Sequence, residues 1–465
     1  MRCEIAAVAI LVFSAACTHA PAAVGNEVSL VVTNGIVVTM DADRRVIPNG
    51  AVVIDGTDIV AVGDAADVRT RYQGADVIDA GGAVIMPGLI NTHTHAPMVL
   101  YRGLADDLAL EEWLNDYIFP AESKTLSPEF VRAGTRLAAL EMIQSGTTTF
   151  ADMYYFEADI ARVVKAAGLR AVLGQTVIQF PVADAATPAD ALLRAESFIE
   201  AFKDDPLVTP AVAPHAVSTV DEAMLKASRA LSRKYGVPTL IHLSETRSEV
   251  RASEDEHNAS PVGYLDRLGF FGPGVIAAHG VWMTQPDIAI LKANRVGVSH
   301  NPESNMKLAS GTAPLGSYLR AGIAVGLGTD GAASNNDLDM FDAMRTASLL
   351  HKVQMQDPRV ASAKTMLEMA TIGGARALGM EDRIGSLEPG KRADLIVVRM
   401  DRARQTPMYE PISQLVYTTR GDDVTTTVVH GRVLMRDRKV LTLDEAAVLG
   451  EAIAWASRVR DAVKH

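Results

Sequence analysis

The hydrophobic pattern changes twice along the chain. Its first part is a series of short runs rich in β-branched residues. From residue 26 to about residue 86, these runs are separated by the turn signals Asn34-Gly35 and Asp55-Gly56. Asn-Gly or Asp-Gly between such runs is typical of a β-hairpin, so we predict a hairpin at both places. Residues 26–87 therefore indicate a small all-β unit.

The middle of the chain alternates apolar runs with longer segments rich in helix-forming residues. Eight runs are candidate strands: residues 84–91, 147–152, 170–173, 208–213, 239–243, 275–279, 296–300 and 323–328. Helical patterns lie between them, at residues 129–143, 189–202, 221–235 and 285–293. This alternation indicates a parallel sheet. Eight strand-helix units within residues 88–384 predict a (β/α)₈ TIM barrel, which is an α/β fold.

β character returns after the barrel segment. Residues 385–398 have the pattern of a turn followed by a strand, and residues 425–434 resemble a hairpin. Because the two β segments flank the barrel in sequence, we predict that residues 26–87 and 385–442 pack together as one discontinuous β-sandwich domain. Residues 443–465 predict a closing helix.

The C-terminal ends of the predicted barrel strands carry side chains that bind metals. The first strand leads into His93 and His95, the fifth contains His242, and Asp330 follows the eighth. In a barrel of this kind these ends meet at one face, so the four side chains are expected to converge. Three neutral imidazoles and one carboxylate suit Zn²⁺, with Fe²⁺ or Mn²⁺ as alternatives. We predict a divalent metal site.

Further groups near these strand ends predict the chemistry. A metal with an open position lowers the pKa of a bound water molecule to about 7. Asp330 is placed to accept a proton from that water, and His279 to hydrogen-bond the water or a developing oxyanion. Glu245, three residues beyond His242, is placed to protonate a substrate nitrogen. Together these groups predict hydrolysis at an sp² carbon that bears nitrogen.

The charge and the cysteine content limit the binding partners and the metal ligands that we expect. With 44 basic and 56 acidic residues the formal net charge is −12, and no basic block is present, so we expect no nucleic-acid binding. The two cysteines are Cys3 and Cys17, so the chain beyond them offers no thiolate ligand.

Residues 1–25 have the features of an export leader. A short apolar run precedes residues 14–17 (SAAC), which resemble the lipobox of bacterial lipoproteins. The expectation is therefore a periplasmic protein or a lipoprotein anchored through Cys17, with the leader ending at residue 16, or at residue 23 if ordinary cleavage occurs. A mis-assigned start codon, and hence a cytoplasmic protein, is the alternative.

Four motifs resemble the amidohydrolase superfamily. They are residues 87–95 (PGLINTHTH), 242–245 (HLSE), 299–302 (SHNP) and 328–331 (GTDG). The resemblance covers essentially the whole chain after the leader, and it implies the barrel, the flanking sandwich and the metal ligands. Two-metal members of the superfamily usually carry a lysine after the fourth strand. Residues 213–217 (APHAV) contain no lysine, so one metal is implied.

Within the superfamily the chain is most similar to the 5-methylthioadenosine/S-adenosylhomocysteine deaminases. The residues that carry this likeness are 95–98, 102–103, 106–108, 112–114 and 119–122. The likeness implies that Trp113 lines the substrate pocket, that Glu122 binds the ribose hydroxyls and that His215 contacts the purine. From the residues alone, His215 fits a core histidine equally well. Asn305 matches a loop on the substrate side.

One position departs from the family pattern. Some members place an arginine late in the third strand, where it holds the carboxylate of homocysteine, and this chain has Gln175 there. The departure weakens the case for S-adenosylhomocysteine as the substrate. It leaves methylthioadenosine, adenosine or another aminopurine.

The resemblance and the residues together predict a metal-dependent deaminase that releases ammonia from C6 of an adenine nucleoside. The substrates expected are 5′-methylthioadenosine, S-adenosylhomocysteine or adenosine. One alternative is an aminohydrolase or chlorohydrolase of another heterocycle, such as guanine, a pterin, cytosine or an s-triazine. Another is a surface lipoprotein that binds a ligand without catalysis. The oligomeric state is left open, with a homo-oligomer as one expectation.

Overall fold

A computed structural model describes residues 25–463 of the protein. The predicted leader, with its proposed lipidation site, lies outside the described residues except for Gly25. The strands are β1 (Asn26–Val38), β2 (Val46–Asp55), β3 (Asp58–Asp64), β4 (Tyr72–Asp79), β5 (Val84–Pro87), β6 (Leu89–Thr94), β7 (Thr147–Tyr154), β8 (Arg170–Val177), β9 (Val208–Pro214), β10 (Thr239–Leu243), β11 (Val275–His279), β12 (Gly297–His300), β13 (Val325–Leu327), β14 (Leu395–Val398), β15 (Val424–Val429), β16 (Arg432–Arg436) and β17 (Lys439–Val440).

The helices connect the strands and complete the description of the elements. The α-helices are α1 (Ala65–Arg71), α2 (Leu110–Glu112), α3 (Phe119–Thr125), α4 (Pro128–Ser145), α5 (Glu157–Ala167), α6 (Pro188–Phe202), α7 (Glu222–Tyr235), α8 (Arg247–His257), α9 (Pro261–Arg267), α10 (Gln285–Ala293), α11 (Pro302–Lys307), α12 (Leu315–Ala321), α13 (Met340–Met355), α14 (Ala363–Met369), α15 (Ile372–Ala377), α16 (Pro411–Tyr417) and α17 (Glu445–Val463). Short 3₁₀-helices cover Ala96–Tyr101, Ala403–Gln405 and Gly421–Asp423. A π-helix, Trp113–Ile118, joins α2 to α3. None of the described helices is both apolar and long enough to cross a membrane.

The predicted barrel is confirmed. Strands β6 to β13 form one eight-stranded parallel sheet in sequence order. The sheet closes where the last strand meets the first, largely through side chains. Asn91 Nδ2 donates to Thr329 Oγ1 at 2.7 Å, and Thr92 Oγ1 donates to the carbonyl of Leu327 at 2.9 Å. The backbone N–H of Asp330 also donates to the carbonyl of His93, at 3.0 Å. This seam therefore holds two predicted metal ligands next to each other.

The predicted strand 84–91 is wrong as a single element. Its first half, β5, pairs with β1 and β14 in the other sheet, whereas its second half, β6, begins the barrel. Gly88 lies at the crossing point, where an added Cβ would be 2.1 Å from the side chain of Thr148. Both halves are fully buried, so their hydrophobicity gives no sign of the division.

The predicted sandwich is also confirmed as a unit separate from the barrel. The N- and C-terminal segments form one nine-stranded mixed sheet, in the order β17-β16-β15-β14-β5-β1-β2-β3, with β4 paired to β1. A hydrophobic core within it combines residues of both segments, for example Ile54 from the first and Val397 from the second. The second segment is therefore required to bury the first.

The predicted hairpin at Asn34-Gly35 is wrong, whereas the one at Asp55-Gly56 is confirmed by the β2–β3 pairing. Strand β1 runs through Asn34-Gly35 and pairs with β2 on one side along most of its length. On its other side it changes partner at this point, from β4 to β5. Asn-Gly thus accommodates an irregularity in one strand instead of a chain reversal.

Candidate metal centre and active site

The barrel brings the four predicted ligands close together at the C-terminal ends of its strands. Asp330 Oδ1 lies 3.4 Å from His93 Nε2 and 3.3 Å from His95 Nε2. The Nε2 atoms of His95 and His242 are 3.3 Å apart. Atoms that are each about 2.0–2.1 Å from a tetrahedral ion lie about 3.3–3.4 Å from one another. The spacing of the donor atoms therefore fits a divalent metal.

The orientation of the imidazoles supports this interpretation. His95 Nδ1 donates to the carbonyl of Met153 at 2.6 Å, and His242 Nδ1 donates to the carbonyl of His215 at 2.9 Å. These bonds place the proton on Nδ1 and leave the Nε2 lone pair free, as is common for metal-binding histidines. His93 Nε2 is buried and has no hydrogen-bond partner among the described residues. Such an unpaired buried atom is expected where a ligand belongs.

The protonation states of His93 and Asp330 also suit metal binding. Burial lowers the pKa of His93 to about 4, so its ring is neutral. Burial would raise the pKa of Asp330, but the neighbouring imidazoles of His93 and His95 outweigh this effect and hold that pKa well below its usual value. A neutral imidazole and an ionised carboxylate are the forms that coordinate metals.

The predicted acid–base residues lie beside the ligands. His279 Nε2 is 3.6 Å from Glu245 Oε2 and 3.9 Å from Asp330 Oδ2. Burial raises the pKa of Glu245, which favours the protonated form that a proton donor requires. The donor atoms of His93, His242 and His279 also lie within 4.8 Å of one another, so His279 faces the same space as the ligands.

A cavity of about 350 Å³ opens onto these groups. Trp113, Glu122 and His215 line this cavity. The other residues of the site that line it are His95, His242, Glu245, His279 and Asp330. Glu122 accepts a hydrogen bond of 2.5 Å from the hydroxyl of Tyr154, and burial raises its pKa to about 7. Because the side chain of Glu122 is buried yet lines the cavity, it is available to a polar group of a ligand.

Two predicted substrate residues are placed differently. Gln175 does not line the cavity; its Nε2 donates to Asp184 Oδ2 at 2.9 Å behind the site. Asn305 is also absent from the cavity wall, and its Oδ1 accepts a hydrogen bond of 2.9 Å from His279 Nδ1. The arrangement therefore gives Asn305 the role of orienting His279 and provides no direct substrate contact for Gln175.

Sequence reasoning missed Glu249. Its two carboxylate oxygens accept the backbone N–H groups of Ser244 and Glu245, at 3.0 and 2.7 Å, and so fix the turn that carries Glu245. A signal was present, since Thr246 and Glu249 have the Ser/Thr-x-x-Glu spacing of a capping box at the start of α8. Thr246 Oγ1 does accept the N–H of Glu249, at 3.1 Å.

A second missed residue is Ser304, which follows the motif at residues 299–302. Its hydroxyl donates to Asp330 Oδ2 at 2.7 Å and is buried. This bond occupies the carboxylate oxygen that does not face His93 and His95. It leaves Oδ1 directed at the metal position, and no local pattern in the sequence predicts it.

The comparisons with known proteins agree with this geometry. The amidohydrolase family model matches residues 84–434. The chain belongs to the amidohydrolase family. This amidohydrolase is 46% identical over 433 residues to a 5-methylthioadenosine/S-adenosylhomocysteine deaminase of Syntrophobacter fumaroxidans, covering 93% of this chain and 98% of the relative. The resemblance inferred from the sequence is thereby confirmed.

Two further relatives of this amidohydrolase act on adenine nucleosides according to their names. A 5′-deoxyadenosine deaminase of Methanosarcina acetivorans is 46% identical, with 91% of this chain and 96% of the relative covered. The crystal structure of an adenosine deaminase from Xanthomonas campestris with bound zinc is 40% identical. It superposes with a TM-score of 0.92 over 94% of this chain and 100% of that chain.

Proposed function

We propose that the protein is a hydrolytic deaminase that converts the C6 amino group of an adenine nucleoside to a carbonyl and releases ammonia. It holds one divalent metal, for which zinc is the best candidate. The observation that carries the proposal is the close spacing of the donor atoms of His93, His95 and Asp330, with His242 Nε2 3.3 Å from His95 Nε2, beside Glu245. The names of the relatives support the choice of an adenine nucleoside.

The metal, when bound, acidifies a water molecule so that it attacks the substrate carbon at neutral pH. The chain supplies the proton transfers. Asp330 accepts one proton of the attacking water, and Glu245 delivers its own proton to the ring nitrogen. The ionised Glu245 then takes the second proton of that water from the new hydroxyl group and passes it to the departing amine, so that ammonia leaves, and the proton on Asp330 restores the acid form of Glu245. His279 donates from Nδ1 to Asn305 Oδ1, so its Nε2 lone pair is left to accept a hydrogen bond from the attacking water.

The remaining cavity residues position the nucleoside. The carboxylate of Glu122 is oriented by Tyr154 and accepts hydrogen bonds from the ribose hydroxyls. Trp113 offers an apolar face and His215 an imidazole edge to the bound heterocycle. Glu122 distinguishes this proposal from hydrolysis of a free base or a triazine, which has no ribose for that carboxylate to bind.

The proposal is tested with full-length protein of known metal content. Ammonia release from adenosine, 5′-deoxyadenosine and 5′-methylthioadenosine is expected, and it should disappear after treatment with a chelator and return when zinc is added. Glu245→Gln should lower kcat by about 100-fold or more without loss of metal. The exposed Glu254→Gln, on the helix α8 that follows Glu245 in the chain, is the matched control. Activity that survives complete metal removal would contradict the mechanism.

A further inference from the structure

The outward side of the last helix, α17, is apolar. Its two large exposed side chains are Leu449, with 44% of its surface exposed, and Ile453, with 70%. They are four residues apart, so they project from the same side of the helix. The exposed residues around them on that side are small: Ala446, Gly450, Ala456 and Ser457. A helix at a protein surface normally presents charged residues to solvent, and a helix that is apolar all round is normally buried.

The opposite side of α17 is already packed against the barrel. Val459 is buried there, and the ring of Trp455 meets the ring of Phe130 on α4 edge to face, with 5.4 Å between their centroids. Glu451 accepts Nε and Nη2 of Arg136 on α4, at 2.9 and 2.6 Å. The inner side of α17 thus has its partners within the chain, whereas residues 25–463 leave the outward apolar side uncovered.

The two ends of the outward side carry opposite charges. Glu445 lies in the first turn of α17 and Arg460 in the last turn, and both are exposed. Arg460 follows Ile453 by seven residues, which is two helical turns, and Glu445 precedes Ile453 by eight residues. If two copies of α17 lie antiparallel with their Ile453 side chains in contact, Glu445 of each copy comes level with Arg460 of the other. The helix dipoles also attract in this arrangement.

We propose that the protein forms a two-fold symmetric homodimer in which the α17 helices of two copies pack antiparallel, with Ile453 at the axis. Each copy offers the same apolar side and the same pair of opposite charges, as a contact between identical surfaces requires. A helix of 19 residues is about 28 Å long and about 10 Å wide. This area is at the low end for specific interfaces, so we expect a dissociation constant of about 1–100 µM.

Sedimentation velocity of the full chain tests the dimer. Between about 1 and 200 µM the protein should change from monomer to dimer. Ile453→Arg places a charge at the axis and should remain monomeric throughout. Leu193→Arg replaces a leucine on α6 that is 63% exposed, and it should dimerise like the parent. Both variants should keep the circular dichroism spectrum of the parent. A parent that is monomeric at all these concentrations, or an Ile453→Arg variant that still dimerises, would overturn the proposal.

Charge exchange tests the antiparallel orientation. Glu445→Arg or Arg460→Glu alone brings like charges together at both ends of the interface and should raise the dissociation constant of the dimer by about tenfold. The double variant restores both ion pairs with their signs exchanged, so its dissociation constant should return to within about threefold of the parent value. A double variant that is as weak as the single variants would overturn the antiparallel arrangement.

Cross-linking tests the position of the axis. A disulfide requires Cα atoms within about 7 Å of each other. In a chain whose only cysteines, Cys3 and Cys17, are replaced by serine, Ile453→Cys should form a covalent dimer under mild oxidation at least about tenfold faster than Leu193→Cys. Equal rates would overturn the proposal. So would a failure of Ile453→Cys to cross-link, which is expected if residues 1–24 of the same chain cover this side of α17.

Discussion

Three residues at the site adopt a backbone conformation that side chains other than glycine rarely occupy. The φ angles of Ser244, His279 and Asp330 are 51°, 71° and 64°. Left-handed residues at strand ends cost free energy and persist only where their surroundings hold them in place. At Ser244 the holding group is Glu249, whose carboxylate binds the N–H groups of Ser244 and Glu245. The position of the proposed proton donor therefore depends on a residue that does not touch the substrate's reacting atoms.

At this scale we predict the effect of Glu249→Gln. The glutamine side chain retains one acceptor oxygen, but its NH₂ group faces a backbone N–H, so one of the two hydrogen bonds is lost. We expect kcat to fall by about tenfold, equivalent to about 1.4 kcal/mol, with KM within threefold of the parent value. Steady-state kinetics with metal analysis would measure this effect. Glu254→Gln should leave kcat unchanged, and a purely structural role for Glu249 would appear as lost metal or a lowered melting temperature at normal kcat.

Among the elements, the seam between β13 and β6 carries three of the four candidate metal ligands, His93, His95 and Asp330. The two strands approach so closely that glycine is required opposite Thr92. A Cβ added at Gly326 would lie 2.3 Å from the methyl group of Thr92 and 3.0 Å from the Cα atom of Gly374. Because His93 follows Thr92 and Asp330 follows the end of β13, a displacement at this contact would also separate two ligands.

We therefore expect Gly326→Ala to destabilise the protein by about 1–3 kcal/mol, the usual cost of overpacking a well-packed core. Calorimetry should show a lower melting temperature, and competition with a chelator should show weaker metal binding. Gly63→Ala is the control, because no atom lies within 4 Å of the position of its Cβ. A melting temperature equal to that of the parent would show that the two strands can accommodate the added methyl group without loss of stability.

At the scale of the whole fold, a buried ion pair joins the barrel to the nine-stranded sheet. Arg170, at the start of β8, donates from Nε to Asp394 Oδ2 at 2.8 Å and from Nη2 to Oδ1 at 3.2 Å. Both side chains are almost fully buried, with 2% and 3% of their surface exposed. Asp394 also accepts the N–H of His430, at 2.7 Å, and so connects β8 to the turn between β15 and β16.

Replacing one partner of this pair leaves a buried charge without compensation. Asp394→Asn is expected to destabilise the protein by about 3–5 kcal/mol, because Arg170 is then buried without its partner. Chemical denaturation would measure the loss. Asp401→Asn removes an exposed carboxylate that pairs with Arg399 and should change stability by less than about 1 kcal/mol. A similar effect of both substitutions would show that the ion pair does not hold the two units together.

The sequence by itself determined the barrel, the discontinuous sandwich and the set of candidate metal ligands. These follow from local patterns: alternating strand and helix segments, and polar residues directly after buried strands. The family likeness added Trp113, Glu122 and His215, which do line the cavity. Each of these predictions concerns the type of a residue and the kind of element on which it lies. Both can be inferred from the local sequence around that residue.

Only the tertiary structure decided which buried strand pairs with which. Val84–Pro87 and Leu89–Thr94 are equally apolar because both are buried, yet they belong to different sheets. The contacts of Gln175 with Asp184, of Asn305 with His279 and of Glu249 with two backbone N–H groups were likewise not readable from the sequence. Hydrophobicity records that a residue is buried, but not against which partner, because the partner is chosen by the packing of distant segments.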